Sequence, residues 1–185
     1  RSAYLHIPFC HRRCFYCDFA VVPLGDRADA FGGAGSGSIE AYLEQLSAEI
    51  NLSPQGPSLS TVYVGGGTPS LLRPDQLAAL LLQLRGRFGF QDGAEITLEM
   101  DPATFERSDL HALIDAGVTR VSLGGQSFDD VRLAALGRRH RRQDLLDACH
   151  WLQESFQVGE LQSWSLDLIR NLPDQGDREW EEQLE

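Results

Sequence analysis

Short apolar segments of two kinds alternate along the chain, and their spacing predicts its secondary structure. Segments of the first kind have four to seven residues, many of them β-branched or aromatic, which favours β-strands. They cover residues 3–7, 61–64, 95–100, 119–123 and 163–169. Segments of the second kind repeat apolar residues on one face at helical spacing. They cover residues 39–50, 74–88, 108–117 and 143–154.

Strands that alternate with helices predict an α/β fold with a parallel sheet covered by helices. Two architectures stay open at this point: an open, doubly wound sheet and a sheet curled toward a barrel. In both, the carboxyl ends of the strands lie on one side, where such proteins bind their ligands. Functional side chains are therefore expected in the segments that follow the strands.

Local signals predict where two of the helices begin and end. Pro74 suits the first position of the second helix, and Gly89 is expected to stop it. Ser108 is expected to cap the third helix, which Gly117 would end.

The 185 residues suffice for one domain with a substantial core. Residues 23–38, PLGDRADAFGGAGSGS, are rich in glycine, serine and alanine and are expected to form a flexible loop. The last residues, DREWEEQLE, are expected to begin a helix that the chain does not finish. This pattern suggests a fragment of a longer protein.

The formal net charge of −11 and the absence of a dense lysine and arginine stripe argue against nucleic-acid binding. The basic cluster GRRHRR, residues 137–142, is interpreted as a solvated surface. No apolar segment approaches the roughly 18 residues that a membrane-spanning helix needs. The first residues also lack the pattern of a secretion signal. We therefore expect a cytoplasmic protein without a membrane span.

The segment HIPFCHRRCFYCDF contains three of the four cysteines, Cys10, Cys14 and Cys17. Their spacing, C-x3-C-x2-C, is typical of a metal site. Three interpretations stay open: a zinc site completed by His6 or His11, a redox pair, and an iron–sulfur cluster with one iron open to an external ligand. Clustered thiols of this kind agree with a reducing compartment. Cys149, in an apolar helical pattern, is expected to be an inert core residue.

A second candidate element, VYVGGGTPSLL at residues 62–72, places three glycines directly after a predicted strand. Glycines there let a ligand approach the backbone and are expected to leave N–H groups free to bind it. A tight turn between a strand and a helix would explain the glycines equally well.

Single polar residues lie at or after the ends of the other predicted strands. They are Glu99, Asp101, Gln126, Arg138 and Asp167. Each alone fits a solvated or capping role. Because the carboxyl ends of parallel strands open on one side, these residues, the cysteines and the glycines are expected to meet there. The sequence therefore predicts one shared site.

The segments that carry these residues resemble those of a known family. The three cysteines, with Tyr16 before the last, resemble the C-x3-C-x-aromatic-C signature of radical S-adenosylmethionine (SAM) enzymes. The segments YLHIPFC, YCDF, GGGTPSLL, LEMDP, GQSF, LGRRH and LDLIRNLPDQ resemble the branch with oxygen-independent coproporphyrinogen III oxidases and HemW-type haem chaperones. The resemblance runs from Tyr4 to Gln175.

This resemblance implies a partial (β/α)6 barrel of the TIM-like type. Residues 1–185 would be a radical SAM core domain that lacks its last strand and the C-terminal domain. A [4Fe-4S] cluster would be held by Cys10, Cys14 and Cys17, with SAM on the open iron. In the family, an electron from the cluster cleaves SAM to methionine and a 5′-deoxyadenosyl radical.

By the same resemblance, nine residues would contact SAM, although none is assigned a catalytic role. Tyr4 and Tyr16 would flank the cofactor, and residues 66–68 would line its methionyl part. The full set is Tyr4, Tyr16, Gly66, Gly67, Thr68, Glu99, Gln126, Arg138 and Asp167. A guanidinium such as that of Arg138 suits a carboxylate, and a carboxylate suits a ribose hydroxyl or an ammonium group.

Within the branch, the oxidases carry a further cysteine shortly after the triplet, where this chain has Asp18 and Phe19. This difference resembles the haem chaperones. It implies haem as cargo, haem-acceptor proteins as partners, and an electron donor such as a flavodoxin or ferredoxin. Two alternatives are kept: an active oxidase that decarboxylates coproporphyrinogen III to protoporphyrinogen IX, and a structural zinc module.

Two segments depart from the family pattern, one at Gly125 and one at residues 170–171. Gly125 stands where the family usually has valine, which is expected to loosen the packing beside Gln126. Arg170 and Asn171 replace an aromatic residue and a glycine, and asparagine is expected to preserve a left-handed turn there.

Overall fold

The computed structural model describes residues 1–25 and 34–184. Five strands form the main sheet: β1 (Ser2–Ile7), β4 (Leu59–Gly66), β5 (Phe90–Met100), β6 (Arg120–Gln126) and β7 (Ser163–Leu168). Two short strands, β2 (Phe9–Cys10) and β3 (Val22–Pro23), form a separate parallel pair. The helices are α1 (Ala34–Leu52), α2 (Pro74–Phe88), α3 (Arg107–Asp115), α4 (Asp130–Ala135), α5 (Arg142–Gln157) and α6 (Asp177–Glu182).

The main sheet is parallel throughout, and its spatial order β1-β4-β5-β6-β7 follows the chain order. Parallel crossovers are right-handed, so a sheet without a reversal of order receives its helices on one face. A doubly wound sheet reverses its strand order at a switch point. The structure therefore selects the barrel-like architecture from the two that the pattern left open.

The core lies between this sheet and its helices. Val64, Leu98 and Leu123 of the inner strands are 0% exposed and share one buried cluster with Leu77 of α2 and Leu145 of α5. Burial of these aliphatic side chains stabilises the fold and keeps the strand ends in fixed positions. The segments after the strands are therefore set on a rigid frame.

The predicted limits of α2 are confirmed. The helix begins at Pro74, where the N–H of Arg73 donates to Gln76 Oε1 at 3.0 Å. It ends before Gly89, whose φ of +72° suits a residue without a side chain.

The predicted cap of α3 is wrong. Glu106 is the capping residue in place of Ser108, because its N–H donates to Asp109 Oδ2 at 2.9 Å and completes a reciprocal cap. Helix α3 then stops just before Gly117, where φ is +119°.

Part of the expected flexible loop, residues 23–38, is helical. Residues 34–38 belong to α1, and the end of β3 takes up Pro23. Residues 26–33 lie outside the described residues. Composition alone predicted a loop because glycine and serine have low helix propensity.

The helix expected at the end of the chain is α6, and Arg132 of α4 binds both α6 and the segment that leads into it. Arg132 of α4 donates to Glu179 Oε2 at 2.6 Å and to the carbonyl of Pro173 at 2.7 Å. Ser127 donates to Gln183 Oε1 at 2.9 Å.

None of the helices in the described part of the chain has the length and apolar character that a membrane crossing requires.

Candidate functional site

A cleft of about 440 Å³ opens at the carboxyl ends of the strands of the main sheet. Eleven of the twelve predicted site residues line it: Cys10, Cys14, Cys17, Tyr16, Gly66, Gly67, Thr68, Glu99, Gln126, Arg138 and Asp167. These residues are up to 157 positions apart, the distance from Cys10 to Asp167. The cysteines, Gly66, Gly67 and the strand-end residues thus line one cleft, and their roles as a binding site stay a prediction.

Backbone hydrogen bonds hold the cysteine segment against neighbouring elements. The carbonyl of Cys10 accepts from the N–H of Leu24 at 2.8 Å, beside the β2–β3 pair. The N–H of Phe15 donates to the carbonyl of Leu136 at 3.1 Å, which ties the segment to the end of α4. Cys10 is buried, whereas Cys14 and Cys17 are half-buried.

The Cys10 thiol has a raised pKa. Burial is the main cause, and the nearby Cys17 and Cys14 add to it, whereas a hydrogen bond with Thr68 works in the opposite direction. Three thiols that repel one another as thiolates need a cation or a metal centre to be ionised together.

The glycine segment 65–68 holds the cysteine segment in place. The N–H of Gly67 donates to the carbonyl of Ile7 at 2.8 Å, and the N–H of Thr68 donates to the carbonyl of Phe9 at 2.7 Å. The N–H of Gly66 donates to Glu99 Oε2 at 2.9 Å. The expectation that these N–H groups are free to bind a ligand is therefore wrong.

Gly67 has the closest surroundings in this segment. A Cβ at this position would lie 2.6 Å from the carbonyl oxygen of Phe9, 2.8 Å from that of Pro8 and 2.9 Å from Cys10 Sγ. Real Cβ atoms do not approach other heavy atoms so closely, so only glycine fits beside the first cysteine.

Glu99 lies at the end of β5 and links two neighbouring elements. It accepts the Gly66 N–H and the Tyr63 hydroxyl, the latter at 2.8 Å from Oε1. Tyr63 was not among the predicted residues. Burial, followed by this carboxylate, raises the pKa of Tyr63 to about 12.

Replacing Tyr63 with phenylalanine is expected to lower the free energy of unfolding by about 1 kcal/mol at neutral pH, because Glu99 loses a donor. A folded-state pKa above the ordinary value of 10.0 gives stability that is present below pH 10 and lost as pH rises toward 12. The difference between wild type and Tyr63→Phe should therefore shrink over this range. Urea unfolding at several pH values measures it, with Tyr4→Phe as the matched control; a difference that stays constant up to pH 12 would contradict the assignment.

Tyr4 is the one predicted site residue that does not line the cleft. Its ring stacks on that of Tyr63 with centroids 5.9 Å apart, and its side chain is largely exposed. Tyr4 thus contacts the site indirectly, through the ring of Tyr63, whose hydroxyl donates to Glu99.

Asp167 and Gln126 lie on the last two strands of the sheet. Asp167 Oδ2 accepts the Ser122 hydroxyl at 2.9 Å. Gln126 has a φ of +65° at a register shift between β6 and β7. A left-handed, non-glycine residue of this kind is costly and is concentrated at functional sites.

The two departures from the family pattern have different outcomes. Packing at Gly125 is not loose, because a Cβ there would lie 2.6 Å from Leu166 Cδ1 and 3.0 Å from Leu145 Cδ1. Two leucines therefore occupy the space of the missing valine. Asn171 has a φ of +62°, as expected for a left-handed turn.

Arg138 is buried beside the cleft and uses all three of its nitrogens. Nη2 lies 2.8 Å from Asp101 Oδ2 and 2.6 Å from the carbonyl oxygen of Gly124. Nε lies 3.3 Å from His140 Nδ1. Nη1 lies 3.5 Å from the Tyr16 hydroxyl and 3.9 Å from Cys14 Sγ.

An iron–sulfur cluster fits these residues. Three thiols line one cleft. The buried guanidinium of Arg138 lies beside Cys14, and Gly67, which has no side chain, packs beside Cys10. Within residues 1–25 and 34–184, no three histidine, cysteine, aspartate or glutamate side chains converge on a single ion. A cluster does not need such convergence, because its cysteines bind different irons.

The zinc interpretation that used His6 is disfavoured. Its Nε2 lies 3.0 Å from the carbonyl oxygen of Ala20, and its Nδ1 lies 3.3 Å from the Tyr4 hydroxyl. His6 is thus engaged on both ring nitrogens. A zinc module would also leave the glycine segment and the strand-end residues without a role.

Comparison with known proteins agrees with this geometry. The model of the radical SAM superfamily matches residues 4–185. The chain is 39% identical over 183 residues to the heme chaperone HemW of Synechocystis and 36% identical over 177 residues to that of Escherichia coli. These alignments cover 99% and 94% of this chain but 43% of each relative. The chain thus spans less than half the length of the curated relatives that it matches.

A solved structure shares the fold. Coproporphyrinogen III oxidase (HemN) from Escherichia coli, described as a radical SAM enzyme, superposes with a TM-score of 0.81 at 30% identity, over 99% of this chain and 40% of that one. The family match covers the cysteine signature and every residue that lines the cleft. The chain belongs to the radical SAM superfamily, which implies an iron–sulfur cluster and SAM as its cofactors.

Proposed function

We propose that the chain is the radical SAM domain of a HemW-type haem chaperone, which binds haem and transfers it to acceptor proteins. The observation that carries this proposal is the similarity over 99% of the chain to a protein named heme chaperone HemW, at 39% identity. The oxygen-independent coproporphyrinogen III oxidase of Cereibacter sphaeroides is 33% identical over 94% of the chain. Asp18 and Phe19, which replace the oxidases' further cysteine, line the cleft and support the chaperone.

In this proposal, Cys10, Cys14 and Cys17 hold a [4Fe-4S] cluster. When bound, the cluster would supply an electron to SAM. Arg138, close to Cys14, offsets part of the negative charge that the thiolates bring to the cleft. Gly67 and Thr68 hold the glycine segment against the chain that leads into the cysteines, and Glu99 holds Gly66 against β5.

The other cleft residues are proposed to bind SAM. Tyr16 supplies an apolar ring with a polar hydroxyl, and Gly66, Gly67 and Thr68 form a wall without bulky side chains. Glu99, Gln126 and Asp167 supply acceptors for an ammonium group or ribose hydroxyls. Tyr4 is proposed to act from behind Tyr63.

The partners proposed are haem as cargo, haem-acceptor proteins, and a flavodoxin or ferredoxin as electron donor. Clustered, unpaired cysteines favour a reducing compartment, so a cytoplasmic location is proposed as well.

The test incubates the full-length protein, reconstituted without oxygen, with haem in one arm and with coproporphyrinogen III, SAM and a reductant in the other. Haem binding near one equivalent without porphyrinogen turnover supports the chaperone. Formation of protoporphyrinogen IX supports the oxidase, the second candidate suggested by the shared fold. A protein that neither binds haem nor turns over the substrate would contradict both.

A further inference from the structure

Asp101 and His140 both contact Arg138. Asp101 is one of the strand-end residues expected at the shared site and lines the cleft, whereas His140 was not predicted. His140 is 0% exposed, and the Asp101 side chain is 19% exposed. Both contact nitrogens of the guanidinium other than the Nη1 that lies near Cys14: Asp101 Oδ2 lies 2.8 Å from Nη2, and His140 Nδ1 lies 3.3 Å from Nε.

The hydrogen-bond directions in this group are determined by the chemistry of arginine. A guanidinium only donates, so His140 Nδ1 accepts from Arg138 Nε. The proton of the neutral imidazole is then on Nε2, which lies 3.0 Å from the carbonyl oxygen of Gly125 and donates to it. His140 thus connects Arg138 to the β6 backbone.

Asp101 is held as firmly as His140. Its Oδ1 accepts the N–H of Ala103 at 3.0 Å, while Oδ2 binds Arg138. Burial works to raise the pKa of Asp101, but that pKa is lowered, in the direction in which the Arg138 guanidinium and the Ala103 N–H act, so the carboxylate stays charged. A charged aspartate, a guanidinium and a neutral imidazole therefore form one satisfied group.

These contacts engage two of the three nitrogens of Arg138 at short range. Nη2 donates to the carbonyl of Gly124 and forms an ion pair with Asp101, and Nε donates to His140. In the part of the chain that the structure describes, Nη1 has only the longer contacts, 3.5 Å to Tyr16 and 3.9 Å to Cys14. Both of those residues line the cleft.

We propose that Asp101 and His140 are positioning residues that lock Arg138 and leave only its Nη1 edge to the anions of the cleft. An anion that binds arginine through two nitrogens needs Nη2 together with Nη1 or with Nε. Here Asp101 and the carbonyl of Gly124 already occupy Nη2, so this two-nitrogen binding is blocked. The carboxylate of SAM, or the Cys14 sulfur, is then met by Nη1 alone. This contact of Nη1 with SAM or the Cys14 sulfur rests on the proposed cofactors. The fixing of Arg138 by Asp101 and His140 does not.

The lock is tested first without any cofactor. The protein is labelled with 15N-arginine, and the Nε–H resonance of Arg138 is assigned by its loss in Arg138→Lys. We expect this resonance to be protected from solvent exchange. His140→Asn keeps an acceptor where Nδ1 was and should retain the protected signal. His140→Phe removes the acceptor and should lose it, whereas His150→Phe, an exposed histidine on α5, should not. A signal that stays protected in His140→Phe would overturn the proposal.

The second test measures SAM binding by calorimetry on the full-length, iron-loaded protein. His140→Phe should keep its iron and bind SAM roughly 10-fold more weakly, since supporting residues of metal sites have effects of this size. His140→Asn should bind nearly as the wild type does. Equal affinity in a loaded His140→Phe protein overturns the positioning role. If His140→Phe does not fold, Asp101→Asn replaces it, with the same expected loss.

Failure of the proposed function gives a different result. A wild-type protein that takes up neither iron nor SAM contradicts the proposed cofactors, while the Nε–H signal of the same protein still decides whether Arg138 is locked.

Discussion

Replacing Cys14 with alanine is expected to abolish the cluster and to leave the β-α fold in place. Only two cysteine thiolates then remain as ligands, whereas the proposed cluster takes three from the protein. The fold should survive because Cys14 is half-buried at the strand ends, outside the cluster of buried aliphatic residues. Iron and sulfide per chain after anaerobic reconstitution should fall to background, with an unchanged far-ultraviolet circular dichroism spectrum.

Cys149→Ala is the matched control for this change. Cys149 lies on α5, packs against the core, and has a pKa raised to about 11 by burial, as expected for an inert thiol. This variant should keep its full iron content. Loss of iron in Cys149→Ala, or loss of helical signal together with iron in Cys14→Ala, would contradict the assignment.

Gly67→Ala is expected to have the second largest effect. The added methyl group would lie 2.6 and 2.8 Å from two backbone oxygens and 2.9 Å from Cys10 Sγ. Backbone cannot move aside as a flexible side chain does, so the cysteine segment must shift. Overpacking of this kind costs about 1–3 kcal/mol, and the displaced Cys10 should reduce iron incorporation strongly. Urea unfolding and iron analysis of the same preparation measure both effects.

Gly86→Ala provides the comparison. Gly86 lies within α2, where an added Cβ meets nothing within 4 Å. Alanine is favoured over glycine in a helix by about 0.5–1 kcal/mol, so this variant should be more stable than the wild type. A Gly67→Ala protein that keeps wild-type stability and iron would show that the glycine segment does not support the cysteines.

Secondary structure was predictable where apolar periodicity was strong. All five predicted strands and four predicted helices are present. The ends were less predictable: β5 begins at Phe90 and not at residue 95, because its first residues, which include Asp92 and Gly93, lack apolar alternation. The six-residue α4 and the two-residue strands β2 and β3 are too short to leave a periodic pattern.

The location of the site was predictable for a topological reason. In a parallel sheet, residues at the carboxyl ends of the strands meet on one side whatever their separation in the chain. Cys10, Glu99 and Asp167 therefore line one cleft.

Pairwise contacts within the site were not predictable in the same way. Sequence reasoning treated Asp101 as a separate strand-end residue and did not identify its pairing with Arg138 or the place of His140 in LGRRH. Tyr63 was read as part of a buried strand, although its hydroxyl reaches Glu99 on the neighbouring strand. Such contacts depend on side-chain direction across strands, which a single sequence does not contain. The interpretation of residues 137–142 as a solvated surface was wrong for Arg138 and His140, which are both buried.

The free N–H groups expected in the glycine segment show a related limit. Glycines after a strand can bind a ligand or allow close packing of backbone, and the two leave the same sequence pattern. Here the N–H groups of Gly66, Gly67 and Thr68 donate within the protein. The glycines thus support the cysteine segment. What they provide for a ligand is space, because they have no side chains.

Anaerobic reconstitution with iron and sulfide, followed by metal analysis and an absorption spectrum with and without added haem, tests the central claim most directly. A [4Fe-4S] cluster on Cys10, Cys14 and Cys17 predicts a brown protein with roughly four irons per chain, and a separate haem absorption band when haem is added to the full-length protein. A colourless protein that takes up a single zinc ion and no iron would contradict it.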